Sequence, residues 1–379
     1  MGLAILLGVV LWRWGVIMGG SWAGLAALFF YAFEANLLAH ASLATKDIGV
    51  TAFAVMALAS WAFYLSRGTM IWSVAAGISL GAAIASKTTG LGLWPAMGLA
   101  LIWHRFSQGK VTGRLKKDAA ALAIATVLAA AVVLAVYGPS EIYRFFDMMV
   151  YYQRFMLSPM HTYLFGKAYY EGHPLYFPAV ILVKTSVPLL VLTLYAFLSP
   201  GLLKKHPAHW PVLVGGCLVL LAFALLVKHQ VGVRHILILY ALFCLAAGVG
   251  ACELWERKPG MRGILVVAGL WHALSLLRVF PHPIAYFNEL AGGPSRGYHV
   301  LGESNLDWGQ GLPELKGFIK NNPGGLLLSY FGTDCPREYG LTFQDAFSSP
   351  GLCPGSSSAL PVDASREWLA VSATKWQGF

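Results

Sequence analysis

One acid, two histidines and three cations stand out against an apolar chain: Asp47, His40, His235, Lys87, Lys184 and Arg234. A carboxylate or a neutral imidazole can take a proton from an attacking hydroxyl. Ammonium groups, and above all a planar guanidinium, can hold an anionic head group. Together these side chains suit a reaction that removes a proton beside a phosphate, with Asp47 and His40 as candidate catalytic residues and Lys87, Lys184, Arg234 and His235 as candidate substrate-binding residues. Arg234-His235 lies between Val231-Gly232-Val233 and Ile236-Leu237-Ile238-Leu239, as the first charge on an incoming helix. The stretch from Phe33 to Asp47 places Glu34, His40, Lys46 and Asp47 between two apolar runs. If it continues the helix before it, His40, Ala44 and Asp47 share one face at i, i+4, i+7 spacing. A charge left in hydrocarbon costs roughly 2.5–3.5 kcal/mol, so water or an opposite charge must lie beside this stretch. A solvated loop at the bilayer edge, and lysines that snorkel to the interface, are the competing readings.

The elements that must position these groups are membrane helices. The chain of 379 residues is 57% hydrophobic and 12% charged, with a mean hydropathy of +0.63, too little polar surface to coat a soluble core of this size. Spans can be drawn at about 2–18, 21–38, 48–66, 70–86, 89–104, 119–137, 175–199, 211–228, 235–252 and 262–280. The net charge of +10 comes from cations in short loops and speaks for membrane orientation, with no nucleic-acid partner. Arg13, Arg67, the cluster Arg105, Lys110, Arg114, Lys116 and Lys117, the pair Lys204-Lys205, and Arg257, Lys258 and Arg262 fall in alternate loops, which the positive-inside rule assigns to the cytoplasm. Asp47, Lys87, segment 138–174, the connection from Lys228 to His235 and everything after Phe280 then face out. An outward N-terminus without an export signal suggests that a preceding span is missing.

Segment 138–174 is rich in aromatics interleaved with Arg144, Arg154 and Lys167, and suits an amphipathic helix at the lipid headgroups; an ordinary aromatic belt is the alternative. His161 and Tyr163 within it are further substrate-binding candidates. After Phe280 the composition shifts to Gly, Pro, Asn and Ser. Leu312 to Ile319 reads as a short amphipathic helix and Leu326 to Phe331 as a buried strand. The expected domains are 1–280, a transmembrane bundle, and 281–379, a small extracytoplasmic α/β domain whose end looks cut after the alternating run Trp368 to Thr374. Cys217, Cys244 and Cys252 read as packing residues, whereas Cys335 and Cys353 are placed for a disulfide. No nucleotide-binding motif or zinc spacing occurs. No motif assigns a cofactor, and seven outer-side histidines leave a divalent metal open.

The run Asn36-Leu37-Leu38-Ala39-His40 through Thr45-Lys46-Asp47, then Ala85-Ser86-Lys87, Val183-Lys184-Thr185, Arg234-His235-Ile236-Leu237, Ala285-Tyr286-Phe287-Asn288-Glu289 and Ser304-Asn305-Leu306-Asp307-Trp308-Gly309-Gln310 resembles the bacterial branch of glycosyltransferase family 39. These are GT-C membrane enzymes similar to protein O-mannosyltransferases and to the aminoarabinose transferase of lipid A. The resemblance spans nearly the whole chain. It implies a mainly α, polytopic transmembrane bundle of GT-C type in a bacterial inner membrane. It also implies a polyprenyl-phosphate-linked sugar donor taken from the lipid bilayer, and a protein or glycolipid acceptor on the extracytoplasmic face. Asp47 matches an acidic position in the second outer loop, and Lys87, Lys184 and Arg234 fall where cations could cradle the lipid phosphate. The family's principal acid lies in a first outer loop that has no counterpart here, and Glu34 stands where a small residue or Pro is expected. A secondary transporter for an anionic solute and a catalytically silent scaffold subunit are the alternative functions; the absence of an internal repeat speaks against the first.

Overall fold

Gly19 and Gly20 divide the first apolar stretch into two arms. Helix α1 (Gly2–Ala32) turns back on itself there, with Gly20 at φ +78°, a conformation that suits only glycine without strain. The arms meet closely because the facing residues are small: a Cβ added to Gly15 would lie 2.9 Å from the Gly24 Cα. The Tyr31 hydroxyl closes the hairpin by donating to the Ala4 carbonyl at 2.7 Å. Arg13 therefore sits within an arm, near the turn, rather than in a loop.

The computed structural model describes residues 1–109, 114–346 and 368–378. After α1 come α2 (Ala35–Ser42), α3 (Asp47–Arg67), α4 (Met70–Ser86), α5 (Leu93–Ser107), α6 (Leu115–Tyr137) and α7 (Ile142–Leu157). The antiparallel hairpin β1 (Thr162–Leu164) and β2 (Lys167–Tyr169) leads to α8 (Tyr176–Lys184), α9 (Val187–Leu198), α10 (Pro200–Lys205), α11 (His209–Leu225), α12 (Leu237–Arg257) and α13 (Arg262–Leu277). Among the described residues five helices are long and apolar enough to cross a membrane when α1 is counted whole across its turn, and the bent pair α8 and α9 brings the number to six. Helices α4 and α11, 17 residues each, are shorter. The protein is mainly α, a polytopic transmembrane bundle with a small α/β C-terminal region.

Helices α3 and α12 are buried along most of their length and form the centre. Close approaches at glycine seat their neighbours: a Cβ on Gly248 of α12 would come within 2.4 Å of the Ala27 backbone nitrogen of α1, and one on Gly77 of α4 within 2.6 Å of the Ala125 carbonyl of α6. Such small-residue contacts are how helices pack where no hydrophobic force separates protein from lipid.

Three sequence expectations are corrected here. The stretch 33–47 does not continue the preceding helix, and the second arm of α1 stops at Ala32 instead of reaching 38: Glu34 caps α2, residues 43–46 bend, and Asp47 opens α3. The span at 175–199 is two helices bent by 115°. Arg105 is no solvated loop cation, being buried and fork-bonded to Asp118 at 2.7 and 2.7 Å, with Tyr64 donating to the same carboxylate at 2.8 Å. That network lies toward the Arg67 end of α3, its Tyr64 about 25 Å along the helix from Asp47 at 1.5 Å rise per residue. Lys110 lies outside the described residues.

Beyond α13, residues 284–308 thread back among the helices as short turns. The chain then forms α14 (Leu312–Asn321), β3 (Leu326–Ser329), β4 (Gln344–Asp345), β5 (Trp368–Val371) and α15 (Ala373–Trp376). Strand β3 lies between β4 and β5, parallel to both. Leu312, Leu326, Leu328 and Leu341 make a core of their own beneath α14. Cys335 takes part in a disulfide; Cys353 lies outside the described residues. Cys217, Cys244 and Cys252 are free thiols.

Candidate functional site

Asp47 opens α3 where that helix meets the end of α4, and Lys87, the residue that closes α4, reaches it: Lys87 Nζ lies 2.5 Å from Asp47 Oδ1. The two side chains are 10% and 5% exposed, so water screens the pair little. Arg234 and His235 sit opposite on a short 3-10 turn, Val233–Ile236, that leads into α12. The turn is held from behind by the segment at 302–308. The Val233 N–H donates to Asn305 Oδ1 at 2.9 Å, and Asn305 Nδ2 donates to the Tyr176 hydroxyl and the Gly302 carbonyl, each at 2.9 Å. The Ser304 hydroxyl donates to the Val231 carbonyl.

Trp308 completes the wall. Its indole lies under the Arg234 guanidinium, 5.2 Å from the ring centroid, and edge-on to the His40 ring at 6.1 Å. Arg234 Nε is buried without a hydrogen-bond partner among the described residues, as are both ring nitrogens of His40, a fully buried side chain. Buried polar atoms left unmatched cost about 1–3 kcal/mol each, and a place that gathers three is shaped for something that supplies the missing partners. Arg234 lies within electrostatic reach of Asp47, Lys87, His40 and Glu303. Asp47 and Arg234 thus converge at one end of the bundle.

Burial governs the ionisation of the groups around this point. It holds His40 down to about 4, so the imidazole is neutral near pH 7, offering one donor and one acceptor nitrogen. It raises the Glu303 and Asp307 carboxyls above their usual range and pushes Glu34 up to about 7.

A cleft of about 370 Å³ opens beside these groups. Leu220, Phe223, Val227, Ile236 and Leu239 supply its apolar wall, and Met149, Tyr152 and Met156 of α7 flank it. Its polar end carries Lys87, Thr88, Thr89 and His235. The exposed Lys46 lies over the Tyr152 ring at 5.6 Å. A wider groove of about 510 Å³ beside α4 and α6 is lined, among the described residues, by apolar side chains and Thr126.

The other sequence candidates lie elsewhere. Lys184 is fully buried at the end of α8; it neither snorkels nor lines the cleft. Its ammonium donates to the Ile284 and Asn305 carbonyls, both at 2.8 Å, and lies 4.5 Å from the Phe287 ring centroid. It braces the break between α8 and α9, whose freed carbonyls are met by two asparagines. Asn288 donates to Leu182 and Thr185 at 2.6 and 2.7 Å, and Asn36 to Lys184 at 2.7 Å. A bent membrane helix needs such partners because lipid offers none. Glu34 belongs to the same joint, its carboxylate accepting from Asn36 Nδ2 at 2.8 Å and from the Leu37 N–H at 2.7 Å. His161 and Tyr163 ride on the β1–β2 hairpin. The hairpin docks on the C-terminal segment through the Phe165 N–H to the Val300 carbonyl at 2.9 Å, with Tyr163 against Gly302 and His161 against the Tyr170 ring. Among the described residues no group of three or more His, Cys, Asp or Glu is placed to hold a metal ion.

Sequence reasoning missed Trp308 as the plate behind Arg234 and His40, Asn305 as the clamp of the turn, and Glu303, which precedes the clamp. The signal was present in the run Ser304 to Gln310, read there as a motif without roles for its members.

No protein-family model matches the chain, and no curated protein matches it. Among solved structures the chain is similar to the crystal structure of ArnT from Cupriavidus metallidurans bound to undecaprenyl phosphate, with a TM-score of 0.48 and 18% sequence identity over 73% of this chain and 54% of that one. The chain spans about half the length of that structure.

Proposed function

We propose that this chain carries the donor site of a GT-C-type membrane glycosyltransferase of family 39, one that moves a sugar from a polyprenyl-phosphate carrier to a protein or glycolipid acceptor. The observation that carries this reading is the cleft itself: an apolar trough between membrane helices that ends on Lys87 and His235, with Arg234, His40 and the Asp47–Lys87 pair alongside. An isoprenoid chain matches the trough and a phosphate matches the end. Arg234 offers a fork of donors whose Nε has no acceptor among the described residues, and Lys87 offers a point charge. The acceptor oxygen attacks the sugar C1, the bond from C1 to the phosphate oxygen breaks, and the polyprenyl phosphate leaves with the electron pair. Cations at the phosphate stabilise that departing charge. His40, neutral and without a hydrogen-bond partner among the described residues, is the group available to bond a sugar hydroxyl, and Asp47 fixes Lys87 in place. The opposite end of the bundle carries Arg67, Arg105, Arg114 and Lys117, so the reacting end faces away from the cytoplasm under the positive-inside rule.

Transfer from undecaprenyl-phosphate-linked hexoses and pentoses, measured with the full-length protein in proteoliposomes, tests this reading. Asp47→Asn and Arg234→Ala are expected to lose most turnover. Unchanged turnover in both overturns the site, and solute uptake without sugar transfer supports a transporter instead.

A further inference from the structure

Resting on the transferase reading, we infer that Glu303 is the general base that activates the acceptor hydroxyl. The acid that sequence reasoning favoured, Asp47, has its charge committed to Lys87 at 2.5 Å. Glu303 is differently placed. It is half-buried beside the Arg234 side chain, at the head of the segment that clamps the Arg234 turn.

Its backbone has φ +55°, a left-handed conformation that costs a non-glycine residue about 1 kcal/mol or more. The neighbours impose it. Gly302 before it is wedged against Tyr163 and Gln377, and Ser304 after it is tied to Val231. Only one carboxylate oxygen is used: Oε2 accepts from the Ser304 N–H at 2.5 Å. Among the described residues no donor reaches Oε1, and that oxygen is not sealed from solvent. One anchored oxygen and one open oxygen is the arrangement a positioned base needs. Burial also raises this carboxyl above the usual range, nearer the working pH and so better suited to accept a proton.

In the step proposed, Oε1 takes the acceptor hydroxyl proton as the acceptor oxygen bonds to the sugar C1. The bond from C1 to the phosphate oxygen breaks, the polyprenyl phosphate carries away the electron pair, and Glu303 later returns the proton to water. Arg234 lies close enough to act on both the leaving phosphate and Glu303.

The test uses the full-length protein with undecaprenyl-phosphate-linked hexoses and pentoses as donors, and undecaprenyl phosphate itself as the binding probe. Glu303→Gln is expected to lower turnover about 10²- to 10⁴-fold while undecaprenyl phosphate binds as before, and Glu303→Asp is expected to recover part of the loss. The wild-type rate should rise with pH through an inflection above the ordinary glutamate range, and Glu303→Gln should lack that limb. Wild-type turnover in Glu303→Gln overturns the assignment and leaves the transferase reading standing. Undecaprenyl-phosphate binding lost in step with turnover gives Glu303 a structural role and also overturns it. A wild-type protein that transfers from no such donor overturns both.

Discussion

Replacing Arg234 with methionine separates a ligand-binding cation from a structural one. The guanidinium sits over Trp308 at 5.2 Å with Nε buried and unmatched. Losing the cation–π contact costs roughly 0.5–2 kcal/mol, and removing an unmatched buried donor returns roughly 1–3 kcal/mol. Attractions to Asp47 and Glu303 are lost and repulsion from Lys87 is relieved, so these changes largely offset. The methionine stem keeps the apolar contact with the indole. Stability without lipid should therefore fall by no more than about 1 kcal/mol, a few degrees in Tm at most. Binding should behave otherwise. A hydrogen bond to a charged group is worth roughly 1.5–3 kcal/mol, so affinity for undecaprenyl phosphate should fall about 10- to 150-fold. Thermal unfolding of the detergent-purified protein, with and without titrated undecaprenyl phosphate, reads both quantities. A large Tm loss without lipid, or an unaltered affinity, would refute the reasoning.

Three other substitutions test neighbouring parts. Asn305→Ala strands the buried Val233 N–H and should cost about 1–3 kcal/mol in unfolding free energy, together with weaker lipid binding as the Arg234 turn loosens; wild-type values for both would remove the clamp from the account. Glu34, pushed by burial from 4.5 to about 7, binds its proton more tightly folded than unfolded, so its contribution is complete below about pH 4.5 and is lost as pH rises through 7. Glu34→Gln should flatten that decline, by up to about 3 kcal/mol, and an unchanged stability–pH curve in the variant would show that Glu34 titrates normally. Ala224→Trp fills the trough and should weaken long-chain polyprenyl phosphates more than short-chain analogues, as measured by competition binding; equal effects on both would place the chain elsewhere.

Much of the architecture was legible because apolar length and alternation are local properties. The short helix at Leu312 and the strand at Leu326 were visible for that reason, and so was the convergence of Asp47, Lys87 and Arg234 at span ends. What escaped depends on contacts between distant residues. Lys184 looks like a phosphate ligand on its own helix, but it is occupied by carbonyls 100 and 121 positions away. The bend after it follows from Asn36 and Asn288, neither of which lies near it in the chain. Arg105 resembled a solvated loop cation until Asp118, 13 residues on, closed over it. Trp308 and Glu303 gain meaning only when the C-terminal segment folds back beneath the Arg234 turn.

The central claim is that a polyprenyl phosphate lies in the trough with its phosphate among Lys87, Arg234 and His235. Photo-crosslinking with a diazirine-bearing undecaprenyl phosphate, mapped by mass spectrometry in the wild type and in Arg234→Met, tests this most directly. Adducts confined to the trough wall around Leu220, Phe223 and Leu239, competed by unlabelled undecaprenyl phosphate and diminished in the variant, are the predicted result. Adducts spread over the lipid-facing helices, insensitive to competition and to the loss of Arg234, would contradict it.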